Sequence, residues 1–283
     1  MRIWNFLALM VLGIVCTLTA QAYRIAFNDT VGMTRTYKTD LTINGNAETL
    51  GISAPLTATL TKVTQEKVTA VDNGKAAIAT TDKSGNIHVK ISGLSGGDDP
   101  QTLDEKLPSF SIAYNRTPQG KVSDIKVTGD SPQLLGGPAD SALNLTQYPG
   151  DGIAFPAGDV AIGDTWTGKD TLDVGSGNTI EVTINYTLKG TKIIDGKTYL
   201  VITADIDTTV SKLTMKIASL GDTTMTLSMT IKGTATTFFD EKAGEIFKET
   251  YNLASVVNVV GDDQTPVTAK MNLTIKGSMV KAK

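Results

Sequence analysis

Cysteine is nearly missing from this 283-residue chain: the only one, Cys16, falls inside an apolar N-terminal run. Beyond that run no disulfide, catalytic thiolate or thiolate-held metal can form. Histidine is equally scarce, with His88 alone. One imidazole and no thiol leave zinc and haem without enough ligands, so no metal and no cofactor are expected. Aromatic residues are 6 % of the chain, and Trp166 is the one tryptophan past residue 22. That poverty speaks against a ring-lined sugar cleft. The formal net charge of −3, or −4 once Arg2 is removed, gives no electrostatic footprint for nucleic acid. No apolar run of membrane-spanning length follows residue 22, so membrane contact would come only through the N-terminal segment if it stayed uncleaved.

That segment has three parts. Arg2 is its only charge, Phe6 to Val15 is its apolar stretch, and Ala20-Gln21-Ala22 is a small-x-small site. Together they are the layout of a secretory signal peptide spanning residues 1–22, with Tyr23 as the new N-terminus. Two rivals are weaker. Lipid attachment at Cys16 needs a small residue before it, and Val15 is branched. An uncleaved anchor needs close to 20 apolar residues, which the run approaches only by including Asn5 and the threonines at 17 and 19. An exported protein in the periplasm, the outer envelope or the medium is therefore expected.

The chain's positive signal is alternation. Ile180, Val182, Ile184, Tyr186 and Leu188 interleave with Thr179, Glu181, Thr183, Asn185 and Thr187. Met225, Leu227, Met229 and Ile231 repeat the pattern, as do Val267, Ala269, Met271, Leu273 and Ile275. A period of two with many β-branched residues marks strands that bury one face. Asn73-Gly74 and Asp195-Gly196 are tight-hairpin dipeptides, so pairing should be antiparallel. Helical patterning is confined to Pro132 to Leu145 and Leu103 to Leu107. The fold class is all-β: a large curved sheet, half-barrel or sandwich.

An internal duplication organises the strands. Val31-Gly32-Met33-Thr34-Arg35-Thr36-Tyr37-Lys38 aligns with Ile162-Gly163-Asp164-Thr165-Trp166-Thr167-Gly168-Lys169. The Asn73-Gly74 and Asp195-Gly196 turns follow in the same order, then Tyr114 to Val122 against Phe239 to Ile246. This divides the chain into a first β repeat at 24–130, a linker at 131–154 and a second β repeat at 155–283.

Catalytic constellations are hard to assemble from what remains. His88 has Asp82 and Ser92 nearby in sequence, but no Gly-x-Ser-x-Gly elbow exists, and a solvated surface imidazole is the simpler account. Asp98-Asp99, Asp240-Glu241 and Asp262-Asp263 are paired acids in Gly-flanked, turn-like settings. Asp82 to Asn86 and Asp170 to Asn178 place oxygens near glycines without EF-hand spacing and read as loops. Gly96-Gly97, Gly136-Gly137 and Gly175-Ser176-Gly177 lack the lysine of a phosphate loop and read as turns.

Phe155-Pro156-Ala157-Gly158-Asp159-Val160-Ala161-Ile162-Gly163-Asp164-Thr165-Trp166 resembles the Pro-x-x-x-Val-x-x-Gly-Asp-x-Trp signature of a family of uncharacterised exported bacterial β-rich proteins. The likeness covers the second repeat well and the first only loosely. It implies export and a β-rich layout, and no catalytic residues. Physically, Pro156 stiffens the entry, Gly163-Asp164 turns the chain and Trp166 supplies a large ring; Arg35 stands in its place in the first repeat.

Met215, Met225, Met229, Met271 and Met279 cluster on the apolar faces of the second repeat. Thioethers fill irregular space and accept varied partners. The expectation is a non-enzymatic cell-envelope protein that binds a lipid or other apolar small molecule on a curved sheet. The expected binding face is Met225, Leu227, Met229, Ile231, Met271, Leu273 and Ile275. The alternatives are a structural or adhesive surface module and a carboxylate-based hydrolase.

Overall fold

The computed structural model describes residues 21–49, 52–92, 101–107, 111–128, 153–173, 179–217, 223–261 and 268–282. Every regular element among them is a strand. They are β1 (Ala22–Tyr23), β2 (Thr34–Thr49), β3 (Ile52–Asp72), β4 (Lys75–Ile91), β5 (Gln101–Lys106), β6 (Ser111–Arg116) and β7 (Val122–Thr128). Then come β8 (Val160–Ala161), β9 (Thr165–Asp173), β10 (Thr179–Ile194), β11 (Lys197–Ile217), β12 (Thr223–Asp240), β13 (Glu245–Gly261) and β14 (Thr268–Lys281). β3 and β11 have 21 residues each, about 70 Å at 3.3 Å per residue.

Twelve strands form one antiparallel sheet in the order β7-β6-β4-β3-β2-β14-β13-β12-β11-β10-β9, with β5 beside the far half of β4. Chain neighbours are mostly sheet neighbours, and β2 pairs with β14 to join the beginning of the sheet to its end. Among the described residues no ladder links the edge strands β7 and β9, so the sheet is not closed into a barrel.

Two hydrogen bonds show how strongly the sheet curls. Phe27 donates its N–H to the Pro118 carbonyl at 2.8 Å, and Asn28 donates to the Gly244 carbonyl at 3.0 Å. Pro118 lies in the β6–β7 turn and Gly244 in the β12–β13 turn, six strand steps apart in the sheet. Flat, that separation would be about 29 Å. Residues 27 and 28 are one peptide apart, so the sheet must bend round until both turns meet them.

These turns share one end of the molecule, its base, with the β3–β4 and β10–β11 hairpins. Asn73 and Gly74 have φ of 48° and 76°, and Asp195 and Gly196 have 49° and 77°. Both dipeptides thus make the left-handed two-residue turns that the sequence predicts. Residues 22–33 and 153–164, joined through the β1–β8 pair, fill the base from inside. Tyr23, Ile25, Phe27, Ile153, Phe155 and Val160 pack there against Leu188, Ile202, Phe239, Ile246 and Met279. Phe155 sits between two rings, with centroids 5.2 Å from Phe27 and 4.9 Å from Phe239.

The two stretches aligned in sequence enter the sheet alike. Gly32, at φ 87°, donates to the Val68 carbonyl while the Val68 N–H returns to Met33. Gly163, at φ 97°, donates to the Leu188 carbonyl while the Leu188 N–H returns to Asp164. Arg35 and Trp166 then take the same inward position, one on a buried ion cluster and the other stacked on Tyr186 at 5.6 Å with its Nε1–H donating to the Ala154 carbonyl.

Three sequence expectations are corrected. Asp170 to Asn178 is not a loop throughout, since Asp170 to Asp173 are the end of β9, laddered to Thr179 to Val182 of β10, while 174–178 lie outside the described residues. Leu103 to Leu107 is not helical; Gln101–Lys106 is a strand, because its backbone completes the ladder along Asn86 to Ile91 of β4. Asp82 to Asn86 is not a loop but the middle of β4, where Lys83 is the extra residue of a bulge that lets Asp82 and Gly85 both face inward. The candidate helix Pro132 to Leu145, the acid pairs at 98–99 and 262–263, and the glycines at 96–97, 136–137 and 175–177 lie outside the described residues.

Candidate functional site

Register places all seven sequence-predicted face residues on the inner side of the sheet. Met229, Val257 and Met271 form one cross-strand row, and Ile231, Ser255 and Leu273 form the next. Ile275 faces Leu253 and Ile43 in the third. The expected residues therefore share a wall but are not contiguous. β13 runs between β12 and β14 and contributes Leu253, Ser255, Val257 and Val259, none of which was singled out from the sequence.

Burial divides this wall by height. At the base the inner residues are closed off by the plug, as with Tyr37, Leu188 and Phe239. Farther up, Leu227, Met229, Ile231, Met271, Leu273 and Ile275 are half-buried, and so are Leu41, Ile43, Leu56 and Leu60 on β2 and β3. Met225 is buried at 8 % exposure and stands opposite Met215 of β11. Val182 and Val210 pack with Leu227 and Met229 as a small separate cluster. Inner glycines let side chains lie flat across the wall. A Cβ at Gly277 would sit 2.1 Å from Tyr251 Cζ, and one at Gly45 would sit 2.9 Å from Leu273 Cδ2. Two pockets, about 260 Å³ over β2 to β4 and about 160 Å³ beside Phe27 and Arg116, include none of the seven residues. Among the described residues, the upper apolar wall is a half-buried trough that the plug does not reach.

The outer wall is the opposite in character. Asn44, Asn46, Thr57, Thr61, Lys232, Thr234, Asn252, Lys270, Thr274 and Lys276 are all exposed on it. Among the described residues no helix is long and apolar enough to cross a membrane.

Sequence reasoning missed the densest polar feature of the fold. Arg35 Nη1 bonds Asp29 at 2.8 Å and Glu66 at 2.7 Å, and its Nε bonds Glu245 at 3.0 Å. Arg116 Nη2 bonds Asp29 at 3.0 Å and Glu66 at 2.7 Å, and its guanidinium lies 4.0 Å over the Phe27 ring. Lys281 pairs with Glu245, so three cations meet three carboxylates. Burial acts to lower the arginine pKa values, yet Glu66 and Asp29 leave both raised. Burial and Glu66 also push the neighbouring phenols of Tyr37 and Tyr114 up. This is a structural clamp of the plug onto β2, β3, β6, β13 and β14. Its one sequence signal is phase, since Arg35 and Glu66 occupy inward positions of their alternating runs.

The remaining candidate groups are dispersed. His88 points outward and pairs with Asp104 of β5, not with Asp82 or Ser92. Asp82 faces inward, accepts a 2.6 Å hydrogen bond from Thr64 and stands 3.9 Å from the Lys62 ammonium, whose pKa is lowered by burial against the pull of Asp82. Asp240 caps its own turn by accepting from the Ala243 N–H, and Glu241 accepts from the Arg24 N–H. Among the described residues no group of three or more His, Cys, Asp or Glu side chains is placed to hold a metal ion.

Residues 152–246 match a family of unknown function, DUF6263. That stretch includes Pro156 to Trp166 and ends in the β12–β13 hairpin. No curated protein matches the chain. Among solved structures, the beta domain of the Bordetella autotransporter Brka is similar at 10 % identity and a TM-score of 0.31, over 88 % of this chain and 100 % of that one. An outer membrane channel from Pseudomonas putida F1 is similar at 8 % identity and a TM-score of 0.30, over 91 % of this chain and 98 % of that one. The translocator domain of autotransporter NalP from Neisseria meningitidis is similar at 8 % identity and 0.20, over 99 % and 96 %.

Proposed function

We propose that this chain is an exported, non-enzymatic cell-envelope protein that holds a lipid or another apolar molecule in the upper trough of its curled sheet. The observation that carries this is the inner wall around Met229, Ile231, Leu273 and Ile275, which stays half-buried above the plug although it is apolar. An apolar wall left part-wet is a standing opportunity for an apolar occupant, worth about 25 cal/mol for each Å² it covers. The N-terminal signal supports export, and the polar outer wall supports a body bathed in water on its convex side.

Native mass spectrometry of protein purified from its own host without detergent tests the proposal. The expected spectrum contains a lipid adduct, and the double variant I231N/I275N loses it. Bare protein from repeated preparations, or an adduct that survives both substitutions, would overturn the assignment and favour a structural or adhesive surface module.

A further inference from the structure

One hydroxyl inside the apolar half of the trough has no partner. Thr208 of β11 faces inward opposite Ile231 of β12, and Ser255 and Leu273 continue the row. Thr208 is only 6 % exposed, and its Oγ1 is shut off from solvent without a hydrogen bond. A buried hydroxyl in that state has given up its bonds to water and gained none in return. A wall that served only as packing would be better built with valine there, similar in shape and with no polar group to strand.

The neighbours of Thr208 are suited to admitting a chain beside it. Val210 packs with Val182, and the flexible side chain of Met229 packs against this pair. A thioether with three rotatable bonds can swing aside at low cost. Thr208, Ile231, Ser255 and Leu273 carry no charge, so a charged group buried against them would have no counter-charge in the row they form.

We propose that Thr208 is a specificity-determining contact of the trough, and that the ligand is a long-chain neutral amphiphile. Its hydroxyl oxygen exchanges a hydrogen bond with Thr208 Oγ1 while its hydrocarbon lies along Val210, Met229 and Ile231. This rests on the trough being an apolar ligand site, and the experiment separates failure of the one from failure of the other.

The test uses the exported protein, an environment-sensitive apolar dye (1-anilinonaphthalene-8-sulfonate) and its displacement by 1-decanol and by 1-chlorodecane. The preference for decanol over chlorodecane should fall about three- to tenfold in T208V, the worth of one such hydrogen bond, and should persist in T208S. Chlorodecane should displace the dye equally well from wild type and T208V. T208V should melt no lower than wild type, because it removes a stranded hydroxyl. An unchanged preference in T208V, a marked loss of its stability, or decanoate outcompeting decanol would each overturn the role of Thr208 while leaving an apolar trough. Failure of both compounds to displace the dye would overturn the trough itself.

Discussion

Arg35 and Glu66 face the same way as the leucines and isoleucines farther along their strands, yet both are almost wholly enclosed. A charge in that position is tolerable only when paired; Arg35 is paired through Nη1 and Nε while its Nη2 is buried without a partner, and each carboxylate also holds a different part of the chain. Replacing Glu66 by Gln leaves two guanidinium groups with too little negative charge. E66Q should therefore lose about 3–5 kcal/mol of stability, read from the urea midpoint; an unchanged midpoint would show that the cluster is dispensable. Tyr251 tests the inner wall at the same scale. Burial, with Glu249 beside it, pushes its phenol up to about 12, against about 10 in an unfolded chain. Between those values the unfolded chain has released the proton and the folded one has kept it. Stability from this group is thus complete below pH 10 and lost as pH rises through 12. Y251F should flatten the fall in stability over that interval, measured by denaturant titration at stepped pH. Little of this was legible beforehand. A six-residue cluster drawn from positions 29 to 281 leaves no local pattern, and only the inward phase of Arg35 and Glu66 hinted at it.

Strands and turns were far more legible, because their determinants are local. Alternation in Thr179 to Leu188 and in Met225 to Ile231 became β10 and β12, with the expected side inward from Val182 to Leu188 and along β12. Asn73-Gly74 and Asp195-Gly196 became hairpins because those residues accept positive φ. Leu103 and Leu107 misled, since two leucines four apart fit a helix while the free edge of β4 offers a ladder that outweighs so short a pattern. The bulge at Lys83 was also invisible, as one extra residue changes no composition. Inner glycines are the element-scale device that sequence inspection overlooked. Gly277 lies beneath the Tyr251 ring, so G277V forces two groups into one space. A loss of about 1–3 kcal/mol is expected, and combining G277V with Y251A should recover part of it. Strict additivity of the two changes would show that they do not share the site.

At the scale of the molecule, what matters is which side of the sheet faces water. Strands that cross a bilayer as a barrel carry an apolar band outside and polar groups within. Here Asn44, Thr57, Lys232 and Thr274 face out while Ile43, Ile231 and Leu273 face in. After removal of residues 1–22 the protein should stay in the aqueous phase of a Triton X-114 separation and purify without detergent. Recovery in the detergent phase would overturn the assignment of faces.

By itself the sequence determined the strand class, the hairpin turns and the side of each strand that would be hidden, because a period of two and a tolerance for positive φ are properties of neighbouring residues. Only the tertiary structure decided that the strands join in one sheet through β2 and β14, that the sheet curls round a plug made from two distant segments, and that the apolar wall is fully covered at its base and half-buried above. Those outcomes depend on contacts between residues tens to hundreds of positions apart, on which local spacing places no constraint.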